Sequence, residues 1–278
     1  MLKTKTFNHL SLYGLLCIIG LVCIFPYLWL LSASFKFESR IFVIPPELIP
    51  RPFTLINYIE IFQVSPIITW MLNSFKITLI VISISSLLAS MAGFAYSKLK
   101  FPGSSFLFLL PLSAMMIPNE VIIVPLFRIW SALGFINTHI PLITPNIVGV
   151  GGMFGVFLFR QFYLSIPSEL CEAAYIDGCT PFGIFFRIML PMSVSPLATL
   201  AIFNFIYTWN DFLDPLIYLN TIDKYTISLG LTLFEGFQGK QWGQIMAACV
   251  ISTLPLIIMF FAAQRKFIES VALSGMKS

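Results

Sequence analysis

The chain has 278 residues, of which 58% are hydrophobic and only 10% are Asp, Glu, Lys or Arg, and 29 are Phe. That composition excludes a soluble globular domain of this length. The formal net charge of +4 calls for no nucleic-acid partner, because basic residues flanking membrane spans account for it.

A helix crosses a bilayer with about 20 mainly apolar residues. Six stretches meet that length, at 11–34, 67–97, 104–127, 140–162, 194–219 and 245–263. The expected fold is therefore an all-α membrane protein with six transmembrane helices, in a single transmembrane domain over 1–278. A membrane barrel would show ten-residue alternating segments instead. The apolar part of the first stretch exceeds a signal-peptide core, and further spans follow it, so it reads as a retained helix. Pro26, Pro111, Pro118, Pro145 and Pro255 fall inside spans and predict kinks.

With the amino terminus inside, Lys3, Lys5, Lys98, Lys100, Arg160, Arg187, Arg265, Lys266 and Lys277 are cytoplasmic. Lys36, Arg40, Arg51, Arg128, Lys224 and Lys240 are then outside, with Lys76 near the outer edge of the second span. The bias places both termini inside. The longest outer segment, 35–66, carries Pro45, Pro46, Pro50 and Pro52 and reads as extended and pinned rather than as a separate domain. Cys17, Cys23 and Cys249 fall in spans, where thiols act as small apolar groups. Cys171 and Cys179 fall on the reducing side, so no disulfide is expected. His9 and His139 are isolated and no CxxC pair exists, so no metal is expected.

The loop 163–193, between the fourth and fifth spans, holds the densest local signals. Ser165-Ile166-Pro167-Ser168-Glu169 offers a hydroxyl cap, an early proline and a first-turn acid, which together start a helix. Asp177-Gly178 ends it, because glycine accepts the left-handed conformation that a sharp stop needs. Thr180-Pro181 starts a second helix at once and Pro191 closes it. The expected product is a short helix, a kink and another short helix at the membrane surface, forming a projecting knob. In the fifth span Asn204, Thr208 and Asp211 recur at i, i+4 and i+7 and share one stripe. Polar groups inside a span face the bundle or a water-filled cavity, and the rings of Tyr207 and Trp209 lie nearby. Equally, these two can be interface anchors and Asn204 a helix-packing hydrogen bond.

Glu172-Ala173-Ala174, Gly178 and Ile188-x-Leu190-Pro191 together spell E-A-A-x-x-x-G-x9-I-x-L-P. This resembles the signature loop of the membrane subunits of ATP-driven importers, and nearly the whole chain resembles permeases of bacterial carbohydrate ABC importers. The likeness is to the smaller permease of maltose importers. The other landmarks are Ser34-Phe35-Lys36, Pro45-Pro46, Asn57-Tyr58, 95–103, Met116-Ile117-Pro118, 133–138, Arg160-Gln161-Phe162, Trp209-Asn210-Asp211-Phe212 and Gln264-Arg265-Lys266-Phe267. The tail 270–278 departs from the family, lacking its Thr and terminal Gly.

The resemblance implies the type I importer permease fold with a cytoplasmic coupling helix, in the plasma membrane. It implies as partners a second, different permease, two ATPase subunits, an extracytoplasmic solute-binding protein, a sugar and membrane lipid, with no nucleic acid. ATP and Mg would sit on the ATPase subunits and no cofactor on this chain, which lacks a G-x-x-x-x-G-K-[ST] phosphate cradle and is read as no enzyme. It makes Glu172, Ala173, Ala174, Ile176, Asp177, Gly178, Ile188, Leu190 and Pro191 the ATPase-coupling residues. Glu172 is then the charged contact, Ala173 and Ala174 permit close approach, Gly178 sets the kink, and Ile188, Leu190 and Pro191 anchor the knob. Asn204, Thr208, Trp209, Asn210 and Asp211 are candidates for the translocation path, although the Trp-Asn-Asp run, as a family landmark, points to shared architecture. The alternative cargo is glycerol phosphate or a polyol. A secondary transporter would show paired interrupted repeats, and an embedded enzyme a catalytic constellation; neither pattern is present.

Overall fold

The computed structural model describes residues 2–235 and 241–275. Lys240, Lys277 and the last tail residues, which entered the charge count and the family comparison above, lie outside the described residues. In chain order the helices are α1 (Leu2–Ser34), α2 (Ile56–Val64), α3 (Ile67–Lys98), α4 (Ser104–Ala114), α5 (Asn119–Ala132), α6 (Ile140–Val148) and α7 (Val150–Leu164). They continue with α8 (Glu169–Ile176), α9 (Pro181–Ile184), α10 (Leu190–Met192), α11 (Val194–Trp209), α12 (Leu213–Tyr218), α13 (Ile227–Gly230) and α14 (Trp242–Gly275). No strand occurs among the described residues.

Four helices are long and apolar enough to cross a membrane: Leu12–Ser34, Ile67–Lys98, Ile140–Leu164 and Trp242–Ala262. They coincide with the first, second, fourth and sixth expected spans, because mean hydropathy over a window is local information. The third and fifth differ. In place of one helix over 104–127, α4 and α5 meet at 95°, with the chain turning at Met115–Pro118 and Pro118 in extended conformation. Pro118 cannot donate a backbone hydrogen bond and disfavours helix in the residue before it, so the kink expected there is a full break. The fifth helix, expected to reach 219, stops at Trp209. Asp211 Oδ1 accepts from the Asp214 amide at 3.3 Å and starts α12 separately, as a side-chain cap does.

The chain forms two compact units, residues 1–67 with 231–254, and 68–230 with 255–278. In the first, hydrogen bonds pin the segment 35–66 alongside the buried Ile41 and Ile61. Asn57 Nδ2 donates to the carbonyls of Ser34 at 2.9 Å and Lys36 at 2.8 Å. Lys36, only 1% exposed, lies 4.5 Å from the Trp29 ring centroid and donates to the Glu47 carbonyl. Arg40 pairs with Glu47 at 3.3 Å. The segment is not wholly extended: α2 occupies nine of its residues, with Asn57 and Ile61 turned inward, a four-residue spacing that puts both on one helix face. The Glu38 carboxylate accepts from the amides of Trp242 at 3.0 Å and Gly243 at 2.8 Å. It thereby satisfies donors that the first turn of α14 cannot pair internally.

The second unit packs α3, α7 and α11 around a cluster that includes Ala89, Phe94, Phe159, Tyr163, Ile184, Phe185, Met189 and Leu200. Small residues set the spacing. A Cβ on Gly155 would lie 2.6 Å from Leu200 and 2.8 Å from the Ala89 Cβ, and one on Gly151 2.4 Å from Asn204 Oδ1, so these glycines let α7 lie close to α3 and α11. At the other end of the unit, Asn137 takes φ 60°. Its side-chain oxygen accepts from the amides of Asn220 at 3.1 Å and Thr221 at 3.2 Å, which ties the loop after α12 to the segment before α6.

Candidate functional site

The short helices and the kink form, with two local corrections: the second helix runs through Pro191 to Met192 instead of closing at Pro191, and the hydroxyl cap differs. Ser165 does not cap α8; its hydroxyl donates back to the Phe162 carbonyl at 2.7 Å, a local bond that competes with capping. Ser168 holds the cap position without a side-chain bond, and its carbonyl accepts from the amides of Cys171 at 3.0 Å and Glu172 at 3.1 Å. The stop is the glycine one: Gly178 sits at φ +81°, with its amide 3.0 Å from the Tyr175 carbonyl and the Cys179 amide 2.9 Å from that of Ala174. Thr180 caps α9 by accepting from the Gly183 amide at 3.3 Å, with Pro181 in the first turn. The chain then runs through a π-helical turn at Phe185–Met189 into α10. At Ser193 it bends by 75° into α11.

Burial divides the loop into two faces. Cys171, Ala174, Ile184, Phe185 and Met189 are buried in the cluster described above, and Ile188 and Leu190 pack against it. Each such side chain removed from water stabilises by about 1.5–3 kcal/mol if large, so the knob is held firmly from below. Glu172, Ala173, Asp177, Gly178 and Pro191 are exposed. Ile176 is 87% and Phe182 65% exposed, so the open face of the loop carries bare apolar side chain as well as acid. The two alanines thus face opposite ways: Ala173 outward and Ala174 into the chain's own core. The Glu172 carboxylate forms no hydrogen bond or ion pair among the described residues. Burial pushes the Cys171 thiol above its usual range, with Lys98 nearby opposing the shift and Glu172 adding to it. Lys98 itself donates to the Ile166 carbonyl, which joins the end of α3 to the base of the knob. Tyr163, Phe182, Ile184, Phe185, Met189 and Ser193 escaped the sequence reading. The apolar spacing at 184, 185, 188 and 189 was the available sign of a buried helical face.

The polar stripe of α11 is mostly packed within the unit. Asn204 and Thr208 are buried, and Asn204 Nδ2 donates to Ser85 Oγ on α3 at 2.7 Å. Trp209 is 2% exposed, stacked on Phe205 at 5.4 Å and edge-on to Phe75 at 4.7 Å. Asn210 is exposed and donates to the Ile206 carbonyl at 2.7 Å. Asp211 is half-buried and its carbonyl accepts from Ser228. Phe203 and Tyr207 point away from the packed face, and with Met115, Gly151, Phe154 and Asn204 they line a cavity of about 280 Å³.

This combination of spans, knob and polar seam finds close counterparts among known proteins. Residues 16–272 match the family described as binding-protein-dependent transport system inner membrane component. The chain belongs to that family. The arabinooligosaccharides transport system permease protein AraQ of Halalkalibacterium halodurans is 38% identical over 262 residues, covering 93% of each chain. The lactose transport system permease protein LacG of Rhizobium radiobacter is 28% identical over 93% of each chain. Among solved structures, a bacterial ABC transporter involved in the import of the acidic polysaccharide alginate superposes with a TM-score of 0.80 at 19% identity, covering 95% of this chain and 98% of that one. The permease therefore has the fold of an importer subunit, multi-pass and membrane-embedded, and it is a transport component.

Proposed function

We propose that this permease forms half of the membrane path of a type I ABC importer for an oligosaccharide, disaccharide or glycoside. A solute-binding protein delivers the sugar from outside, a second, different permease completes the path, and two ATPase subunits drive it from the cytoplasm. ATP and Mg bind on those subunits; this chain carries no catalysis. The observation that carries the reading is the two-faced knob, rooted by Cys171, Ala174, Ile184, Phe185 and Met189 and presenting Glu172, Ala173, Ile176 and Phe182. A rigid base with an exposed apolar and acidic tip suits a socket that moves, and only a partner with different contacts in its two states can transmit work through it. The arabinooligosaccharide and lactose transport systems to which those relatives belong support a sugar cargo. In this reading the cavity lined by Phe203, Tyr207 and Asn204 serves as an aromatic wall of the path.

Both termini lie inside in this reading, with the knob in the cytoplasm. The test is purification with the cognate permease, ATPase and binding protein, and sugar-stimulated ATP hydrolysis in liposomes. Glu172→Ala and Phe182→Ala should each lower ATPase co-purification or stimulation. Truncating one member of a charged contact costs roughly 2–5 kcal/mol, tenfold or more at about 1.4 kcal/mol per tenfold. Full co-purification and stimulation in both variants would end the coupling reading. A thiol placed at Thr180 in a cysteine-free chain should react with an impermeant reagent only after the cells are opened, and one at Ile44 in intact cells.

A further inference from the structure

The strand of chain that enters the knob and the one that leaves it are tied together at a single buried point. Tyr163 is the penultimate residue of α7, and Ser193 is the elbow between α10 and α11. Both are 0% exposed. The Ser193 hydroxyl lies 2.5 Å from the Met189 carbonyl and 2.7 Å from the Tyr163 hydroxyl. A carbonyl can only accept, so Ser193 spends its one proton there and Tyr163 donates to Ser193.

The backbone explains why this elbow needs a side chain. The Ser193 amide bonds to the Leu190 carbonyl at 3.0 Å, three residues back instead of four. The Ser193 hydroxyl, not its amide, reaches the carbonyl four residues back at Met189. Pro191 contributes no amide, and the preceding turn is π-helical, a geometry that recurs where helices must give. Left to its backbone, a 75° junction of this kind is the softest place between the knob and α11. The Tyr163 ring is meanwhile fixed by Phe159 at 5.9 Å and Phe94 at 6.3 Å. The hydroxyl pair, thirty positions apart in sequence, therefore closes the chain between them into a ring that contains the knob.

We propose that the Tyr163–Ser193 hydroxyl pair is a latch that makes the elbow rigid, so that displacement of the knob moves α7 and α11 together instead of being absorbed at Ser193. Transmission through the elbow presupposes that Glu172–Gly178 engages an ATPase; the rigidity of the elbow does not. Both are positioning residues and neither touches ATP or sugar.

Two measurements separate these. In the reconstituted importer, Tyr163→Phe and Ser193→Ala should keep ATPase co-purification. Sugar moved per ATP hydrolysed should fall between about twofold and tenfold, the range that one net hydrogen bond supports. The double variant should fall no further than the worse single one, because either change breaks the same bond. An unchanged ratio, or losses that multiply, overturns the latch as a transmitting element. On the permease alone, in a cysteine-free background, spin labels at Phe186→Cys and Ile206→Cys flank the elbow on exposed positions. Their distance distribution should be narrow in the parent and broader in Tyr163→Phe and in Ser193→Ala. Equal widths in all three overturn the latch itself, whatever the coupling assay returns. A parent importer whose ATPase ignores the knob, with labels that still broaden, would instead sink the coupling role and keep the latch.

Discussion

Asn204 Nδ2 donates to Ser85 Oγ at 2.7 Å across 119 residues of sequence. The bond joins α11 to α3 in the middle of the second unit, and the Asn204 oxygen lies where a side chain on residue 151 would have to go. One amide thus fixes the spacing of α3, α7 and α11 at once. Hydrogen bonds between membrane helices contribute on average about 0.6 kcal/mol, with about 1.7 at most. An amide that is also packed on two neighbours belongs at the upper end.

Asn204→Ala should lower the unfolding temperature in detergent and slow transport, without changing which sugar is preferred. Binding of the sugar to the solute-binding protein should not change, since that step takes place off this chain. Competition transport with a panel of sugars decides it. A variant that kept its rate but exchanged one sugar for another would place Asn204 in recognition rather than in packing.

Gly178→Val should cost more than Gly178→Ala, and both more than Ala173→Gly. Gly178 has open space where a Cβ would stand, so the penalty comes from φ +81° alone. That conformation costs an ordinary residue roughly 1–2 kcal/mol and a β-branched one more. Co-purification of the ATPase with each variant, at matched expression, reads the loss of knob geometry. Equal yields for Val and parent would mean that the kink plays no part in docking.

Glu38→Ala should destabilise the first unit by about 0.5–2 kcal/mol, the range for loss of a side-chain cap. Its carboxylate spans two amides at the start of α14, where the helix dipole favours a negative charge. At about 2–4 °C per kcal/mol for a chain of this size, a drop of a few degrees in the melting temperature is expected, with Glu38→Gln in between. A melting temperature shared by all three would leave the cap without energetic weight.

The permease should lose stability as pH falls below about 6.5 through His139. Burial lowers its pKa from 6.5, assisted by Lys76 and Lys224, while its hydrogen bond to the Lys224 carbonyl opposes the shift. Between 6.5 and the lowered value the unfolded chain binds a proton that the folded one refuses, so stability present above pH 6.5 is lost on the way down. Thermal unfolding from pH 8 to pH 5 should slope less steeply in His139→Gln. Parallel slopes would assign the pH dependence to other groups.

The sequence by itself determined the helices as such. Apolar windows located four membrane-length spans, and Gly178 with Thr180-Pro181 located the kink, because hydropathy and backbone preference are properties of neighbouring residues. It also determined the family, through residues fixed in register from Glu172 to Pro191. Only the tertiary structure decided which side of each helix is inside. In a helix apolar all round, the pattern that marks a buried face in a soluble protein is missing, since lipid accepts Leu and Phe as readily as a core does. Hence the opposite facing of Ala173 and Ala174, the burial of Asn204 against Ser85 and the pairing of Tyr163 with Ser193 were not legible in order of sequence. The breaks at Pro118 and after Trp209 belong to the same class. A proline or a polar cap announces that a helix can stop, but the partners on other segments decide whether it bends a little or turns by 95°.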